Sequence, residues 1–205
     1  MEIRELLCRY DQGERQFRQA RLRGHDFSQQ HLRGAILDQA DLGGADLTAT
    51  NLQETRLADA ILVGACLTKA NLAQAILNRA NLSKAELQQA ILLQASLEKA
   101  VLRRCDLRMA NMRRANLAGA DMVSADLRYV NLSHANLVGA NLTNANLTGA
   151  NLGNADLTSA NLTGAVLLNT DLRGAILTDT RLEKEQIEAN AAAGESEVED
   201  LREAG

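Results

Sequence analysis

ANLVG ANLTN ANLTG ANLGN ADLTS ANLTG, residues 135–164, states the rule that most of this chain follows. A small residue comes first, then Asn or Asp, then Leu, then two variable positions. The period is five. It fits neither the 3.6-residue period of an α-helix nor the two-residue alternation of a flat strand. Outward from this block, an apolar residue holds every fifth position without a break, from Phe17, Leu22, Phe27 and Leu32 to Leu182. That is (182 − 17)/5 + 1 = 34 positions in one phase, a run that chance does not produce. From 37 to 182 all are Leu except Met112 and Met122. Two residues before each sits a small one, Ala at all but Thr50, Thr55, Cys105, Val130, Thr170 and Thr180 between 35 and 180.

Five residues suit a short extended segment followed by a turn. Ala and Leu are one residue apart, so both side chains point the same way from an extended backbone. The next two residues turn the chain. Four such sides close a square, and the twenty-first residue opens the next coil. Coils would stack at about 4.8 Å, so 34/4 = 8.5 coils make a rod of about 40 Å. Composition agrees. There is no Pro or Trp, and only two Phe and two Tyr, yet 46% of residues are apolar. An Ala and Leu core is narrow, so the molecule must be long, and such a chain is read for repeats first. Each Leu contributes roughly 1.5–3 kcal/mol by burial, offset by chain ordering. A larger residue at the Ala position would cost about 1–3 kcal/mol by overpacking. Periodicity alone leaves other β-solenoids open.

The motif A(D/N)LXX resembles the pentapeptide-repeat family over residues 15–182, about four-fifths of the chain. Glu5-Leu6-Leu7, Tyr10, Gly13 and Arg15-Gln16-Phe17 also resemble the helical lead-in of cyanobacterial members. The resemblance implies an all-β solenoid, a right-handed quadrilateral parallel β-helix. It implies as well that end-to-end homodimers occur among relatives, and that some relatives are DNA mimics that protect or inhibit DNA gyrase.

Three parts are expected: an N-terminal capping helix over 1–14, the β-helix over 15–182, and an acidic helical segment over 183–205. Ile3, Leu6, Leu7 and Tyr10 follow the i, i+3, i+4, i+7 spacing of an amphipathic helix, which would lie over the first coil against Phe17 and Phe27. Thr180 with Glu183, and Ser196 with Glu199, read as capping boxes. They predict a helix from about 181 to 192, a break near Gly194 and a second helix to about 203. Nine Gly, including Gly149 and Gly164, lie two residues after the central Leu, and Asn144, Asn154 and Asn169 share that phase. A type II turn needs positive φ at its third residue, which Gly and Asn tolerate. Between 69 and 114 the same position holds Lys, Arg, Gln or Met, which predicts other turn types and a local bend.

Net charge is −4, unevenly placed. Residues 17–182 carry 17 Lys and Arg against 14 Asp and Glu, giving +3; residues 183–205 carry 2 against 8, giving −6. A DNA mimic needs negative charge along its length, and this rod is slightly positive. The twenty-residue stacking gathers Arg108, Met109, Arg113, Arg114, Arg128, Tyr129 and His134 on adjoining sides of two coils. Arg and Tyr favour interaction hot spots, so this is the candidate partner-binding patch, set against the plain alternative of a solvated basic surface. One Tyr provides no stacking platform for single-stranded nucleic acid. Ile61, Val63, Ile76, Ile91, Leu93, Val101, Val166 and Leu168 point outward but are scattered, as single exposed apolar residues commonly are.

No enzyme site is legible. The Asp of the motif exchanges freely with Asn, which an acid/base pair would not survive. His25, His31 and His134 form no zinc-like set with Cys or carboxylates, and the Gly residues belong to turns rather than to a nucleotide loop. Cys105 falls at the inner small position; Cys66 points outward and Cys8 lies in the capping helix. With no signal or membrane-length apolar run, the expectation is a cytoplasmic protein without cofactor, metal or membrane association, acting as a non-catalytic protein-binding scaffold, as a monomer or end-to-end homodimer. A gyrase-directed DNA mimic is the alternative.

Overall fold

The computed structural model describes residues 2–183 and Gln186. Helix α1 spans Ile3–Asp11. From Gln16 onward the backbone forms parallel bridges between residues twenty apart, from Gln16 with Ile36 to Asn161 with Arg181. Twenty residues are four five-residue sides. We number the sides by their central residues: Phe17 to Leu177, Leu22 to Leu182, Phe27 to Leu167, and Leu32 to Leu172.

The unit around Leu127 shows why the coil holds. Asp126 N–H donates to Cys105 O of the coil below at 2.9 Å, and Leu127 and Tyr129 N–H donate to Asn146 O and Thr148 O of the coil above at 2.8 and 3.0 Å. Val130 N–H closes the turn on Leu127 O at 3.2 Å. The last donor, Arg128 N–H, goes to Asp126 Oδ1 at 3.3 Å. All five backbone donors are satisfied, as a water-excluding stack requires. This gives the motif's second position its purpose. Every Asn or Asp there, from Asp26 to Asp171, accepts the N–H two residues on. Either residue can do so, because only Oδ1 is used.

The central ladder is buried from Phe17 to Leu167, with Ala packed beside it. Polar residues at the inner position hydrogen-bond to the backbone: Thr50, Thr170 and Thr180 hydroxyls donate to Phe27, Leu147 and Leu157 carbonyls, and Cys105 Sγ donates to Leu82 O. Burial pushes the Cys105 thiol up to about 12, so it stays protonated in the core.

Two expectations change. The turns do not switch type between 69 and 114. All positions two after the central residue, from Gln19 to Asp179, have positive φ, the non-Gly ones between 53° and 61°. The residue before each has negative φ, which is the type II pattern. The cost of this conformation in an L-residue is about 1–2 kcal/mol. It is outweighed because each such N–H from Gln19 to Ser159 donates to the next coil, as Lys69 does to Gln88 O and Gln94 to Arg113 O, both within 3.0 Å. The second change is at the far end. Thr180 does not start a capping box, since its hydroxyl is engaged by Leu157 O, and Arg181 is still bridged to Asn161. Glu183 N–H instead donates to Gln186 Oε1 at 2.7 Å, the return bond of a capping box three residues later. Gln186 Nε2 covers the end of the stack, donating to the Leu162 and Ala165 carbonyls. The helices expected to 192 and 203 lie outside the described residues.

At the near end, α1 places Leu6 wholly inside the core that holds Phe17 and Phe27, with Ile3, Leu7 and Tyr10 partly buried against it. Tyr10 Oη donates to Arg33 O at 2.8 Å, and the Arg15 guanidinium sits 3.9 Å from the Tyr10 ring centre.

Candidate interaction surface

The seven patch residues occupy the third side, the corner after it and the fourth side. They do not act as one basic cluster. On the third side Arg108 Nη2 meets Asp106 Oδ2 at 2.6 Å, and Arg128 Nη2 meets Asp126 Oδ2 at 2.5 Å. Arg108 also stands 3.8 Å from Asp126. The geometry is intrinsic: residues flanking an inward Leu both point outward, so Asp-Leu-Arg pairs with itself. That motif recurs at 106–108, 126–128 and 171–173, and was the signal that stacking alone overlooks. The hydrogen bonds that Arg108 and Arg128 donate to these carboxylates raise their pKa values. Burial alone would lift the Asp106 carboxyl, but its bonds from Arg108 and Gln88 hold it below the ordinary carboxylate range.

These pairs end a longer chain of contacts. Thr48 meets Cys66 Sγ at 3.1 Å, Cys66 meets Thr68 at 3.6 Å, Thr68 donates to Gln88 at 2.8 Å, and Gln88 donates to Asp106 at 2.8 Å. The third side is therefore tied to itself over five coils, from Thr48 to Arg128.

Past its corner the surface is different. Met109 and Tyr129 are 59% and 61% exposed. Tyr129 lies over the turn of the next coil, where a Cβ on Gly149 would come within 2.6 Å of its ring. Arg113 and Arg114 are exposed, and their guanidinium groups meet no carboxylate among the described residues. His134 lies one coil above Arg114 and borders an open depression of about 460 Å³, lined also by Asn151, Gly153, Asn154 and Asp171. Gly153 makes this notch, because other coils carry a side chain there.

Averaging charge over 17–182 conceals a second feature. Residues 15–34 hold Arg15, Arg18, Arg21, Arg23 and Arg33 against Asp26 alone, +5 − 1 = +4, together with His25 and His31. The register closes these residues into the first coil. Arg18 and Arg33 reach Asp38 and Glu54 of the next coil at 3.5 and 2.6 Å; Arg21 and Arg23 meet no carboxylate among the described residues.

Of the outward apolar residues, Ile61, Val63, Ile76, Ile91, Val166 and Leu168 are exposed, while Leu93 and Val101 are half-buried. Among the described residues no His, Cys, Asp and Glu group could hold a metal ion, and no helix is long and apolar enough to cross a membrane.

The family description "Pentapeptide repeats (8 copies)" matches residues 16–48, 40–79, 80–119, 105–144 and 140–179. The chain belongs to the pentapeptide-repeat family. Among solved structures it is similar to HetL of Nostoc sp. strain PCC 7120, a pentapeptide repeat protein involved in heterocyst differentiation regulation, at 32% identity over 89% of this chain and 95% of that one (TM-score 0.39). The pentapeptide repeat protein alr5209, also from Nostoc, is 36% identical over 51% of this chain and 79% of its own (TM-score 0.33). QnrB1, a plasmid-mediated fluoroquinolone resistance protein, is 16% identical over 83% and 96%, with a TM-score of 0.54, which is a likeness of fold. No curated protein matches the chain.

Proposed function

We propose that this pentapeptide-repeat protein is a non-catalytic protein-binding scaffold: a cytoplasmic, right-handed quadrilateral β-helix over 15–182, closed by a helical cap at each end. One observation carries the binding reading. Met109 and Tyr129 stand well out of a corner whose neighbours, Arg113 and Arg114, have no carboxylate partner among the described residues. Exposed aromatic, Met and Arg groups on a rigid support combine apolar contact with directed donors at little ordering cost. Arg108 and Arg128 support this corner from the side through their internal pairs, and His134 extends it to the notch.

The test compares capture of proteins from a native bacterial lysate by the wild-type chain and by Arg113→Glu/Arg114→Glu. A partner held by wild type and lost by the variant is the expected result. Equal capture by both removes this corner from the account. Charge reversal at Arg108 and Arg128 is a poorer probe, because it would set like charges against Asp106 and Asp126. A gyrase-directed DNA mimic remains the second reading, and the likeness of fold to QnrB1 favours testing it. The +3 balance of 17–182 opposes it, and inhibition or protection in a gyrase supercoiling assay would reverse that judgement.

A further inference from the structure

The four sides differ in charge along the middle of the rod. Over residues 55–154 the first side carries Asp59 and Glu98, the second Asp121, and the third Glu86, Asp106 and Asp126. The fourth side, from 70–74 to 150–154, carries no carboxylate, yet it holds Arg113, Arg114 and His134. Its amides add further donors. Asn111, Asn131 and Asn151 each use Oδ1 to accept the N–H two residues on, which leaves Nδ2 with no acceptor among the described residues. The same side is also apolar one coil below Arg113. Ile91 is bridged to Asn111, and Gln94 N–H donates to Arg113 O, so Leu93 lies beneath Arg113. Ile91 is exposed and Leu93 half-buried. Met109 and Tyr129 stand out at one flanking corner, Arg114 and His134 at the other. Between these corners the floor is low, with Asn131 and Ser133 half-buried and Gly153 buried at its upper end.

We propose that the fourth side, from Ile91 to Gly153, docks an acidic amphipathic α-helix of a partner protein, laid along the rod axis. This rests on the protein-binding reading above and names what that partner presents. The dimensions suit a helix. The flanking corners are separated by about three extended residues, roughly 10 Å, and a helix with its side chains is about 10–12 Å across. Ile91 and Asn151 are (151 − 91)/20 = 3 coils apart, about 14 Å at 4.8 Å per coil, which about ten helical residues cover. The coil spacing along the Met109 and Tyr129 ridge is close to the roughly 5–6 Å between helix side chains three or four residues apart. An extended peptide, whose same-face side chains are about 7 Å apart, does not match it. Charge sets the rest. A face of donors without a carboxylate favours Asp and Glu opposite Arg113 and Arg114 and opposes a basic helix. The apolar stripe of the helix then lies on Ile91, Leu93, Met109 and Tyr129, and the depression at Gly153 admits a larger side chain near its end.

The probe is a displayed library of random peptides of about fourteen residues, four helical turns, selected against the full chain. Enriched sequences should carry apolar residues at i, i+3 or i+4, and i+7, with Asp or Glu beside them. Synthesised, they should gain helical circular dichroism on binding. Ile91→Glu/Leu93→Glu and Arg113→Glu/Arg114→Glu should each weaken that binding by about tenfold or more. Lys84→Glu/Arg104→Glu, which reverses two stacked cations at the corner after the second side, should leave it unchanged. Ile91→Glu/Leu93→Glu keeps the fold, because Glu86 and Glu98 hold the same two motif positions elsewhere; circular dichroism matching wild type checks each variant. Absence of enrichment, enriched sequences without helical period or acidic residues, or binding that ignores the fourth-side variants overturns the proposal. A lysate partner lost by Arg113→Glu/Arg114→Glu but held by Ile91→Glu/Leu93→Glu also overturns it, while leaving the protein-binding corner in place.

Discussion

Residues 131–163 and residues 56–103 build the same coils from unlike outer residues. In the first stretch every position before the central residue is Asn or Asp, and each accepts the N–H two residues on. Ser133, Thr143, Thr148, Thr158 and Thr163 hydroxyls donate to the same oxygen. In the second stretch that position passes through Arg56, Ile61, Cys66, Ile76, Glu86, Ile91, Ser96 and Val101, and only Asn71 and Asn81 provide the bond. The corners differ as well, with Gly or Asn common in the first and Lys69, Arg79, Lys84 and Lys99 in the second. Yet φ at those corners is 56–60° in either stretch wherever the residue is not Gly, Gly itself reaching 67°. The inner ladder and the coil-to-coil hydrogen bonds set the backbone, and the outer ring is left free for other uses.

If that is right, the largest effects should be equal in the two regions. Leu92→Ala and Leu147→Ala should each cost about 2–5 kcal/mol in urea unfolding, because both are wholly buried. A loss confined to one would show that the ladders are not equivalent. Corner substitutions should separate the regions by sign. Gly149→Ala should destabilise by about 1–3 kcal/mol, combining positive φ with a Cβ 2.6 Å from the Tyr129 ring. Lys69→Gly should stabilise by about 1 kcal/mol, since Gly is unstrained at φ 59°. Thermal melts moving the same way for both would break the comparison.

The smallest effect is in acid. Hydrogen bonds from Arg79 and Arg173 hold the Asp59 and Asp171 carboxyls below their ordinary range, and Asp106 is likewise lowered on balance. A folded pKa below the unfolded one stabilises fully above the ordinary carboxylate range, and that contribution is lost as pH falls through the depressed value. Tm should therefore be flat from pH 8 to about 5 and decline below about 4. These groups are largely exposed, so added salt should shrink the decline. A Tm that rises on acidification would contradict the sign.

The inner ladder was legible because one residue class in one phase can mean little else. Cys105 was legible for the same reason. The turns at 69–114 were not, because local propensity penalises positive φ in Lys or Gln, whereas the stack gains a hydrogen bond at each one. The patch was half legible. Stacking by twenty placed its residues correctly on two adjoining sides, but Asp106 and Asp126, two residues before Arg108 and Arg128, cancel the charge that made it look basic. At the far end, Thr180 resembled a helix cap by spacing alone; its inner position gave its hydroxyl a carbonyl partner first. The first-coil arginines were visible throughout and were lost only by averaging charge over the rod.

Amide hydrogen exchange by NMR tests the central claim most directly. The corner amides of Lys69, Gln94 and Arg104 should be as slow as those of Asn144 and Gly149, because all donate to the next coil. The amides of Val63, Leu93 and Arg103, which no motif Asn or Asp accepts, should exchange faster than those of Thr143 and Thr148, which one does. That pattern would show one backbone beneath two surfaces. Fast exchange at the corners of 69–104 would show instead that the backbone of the two regions differs.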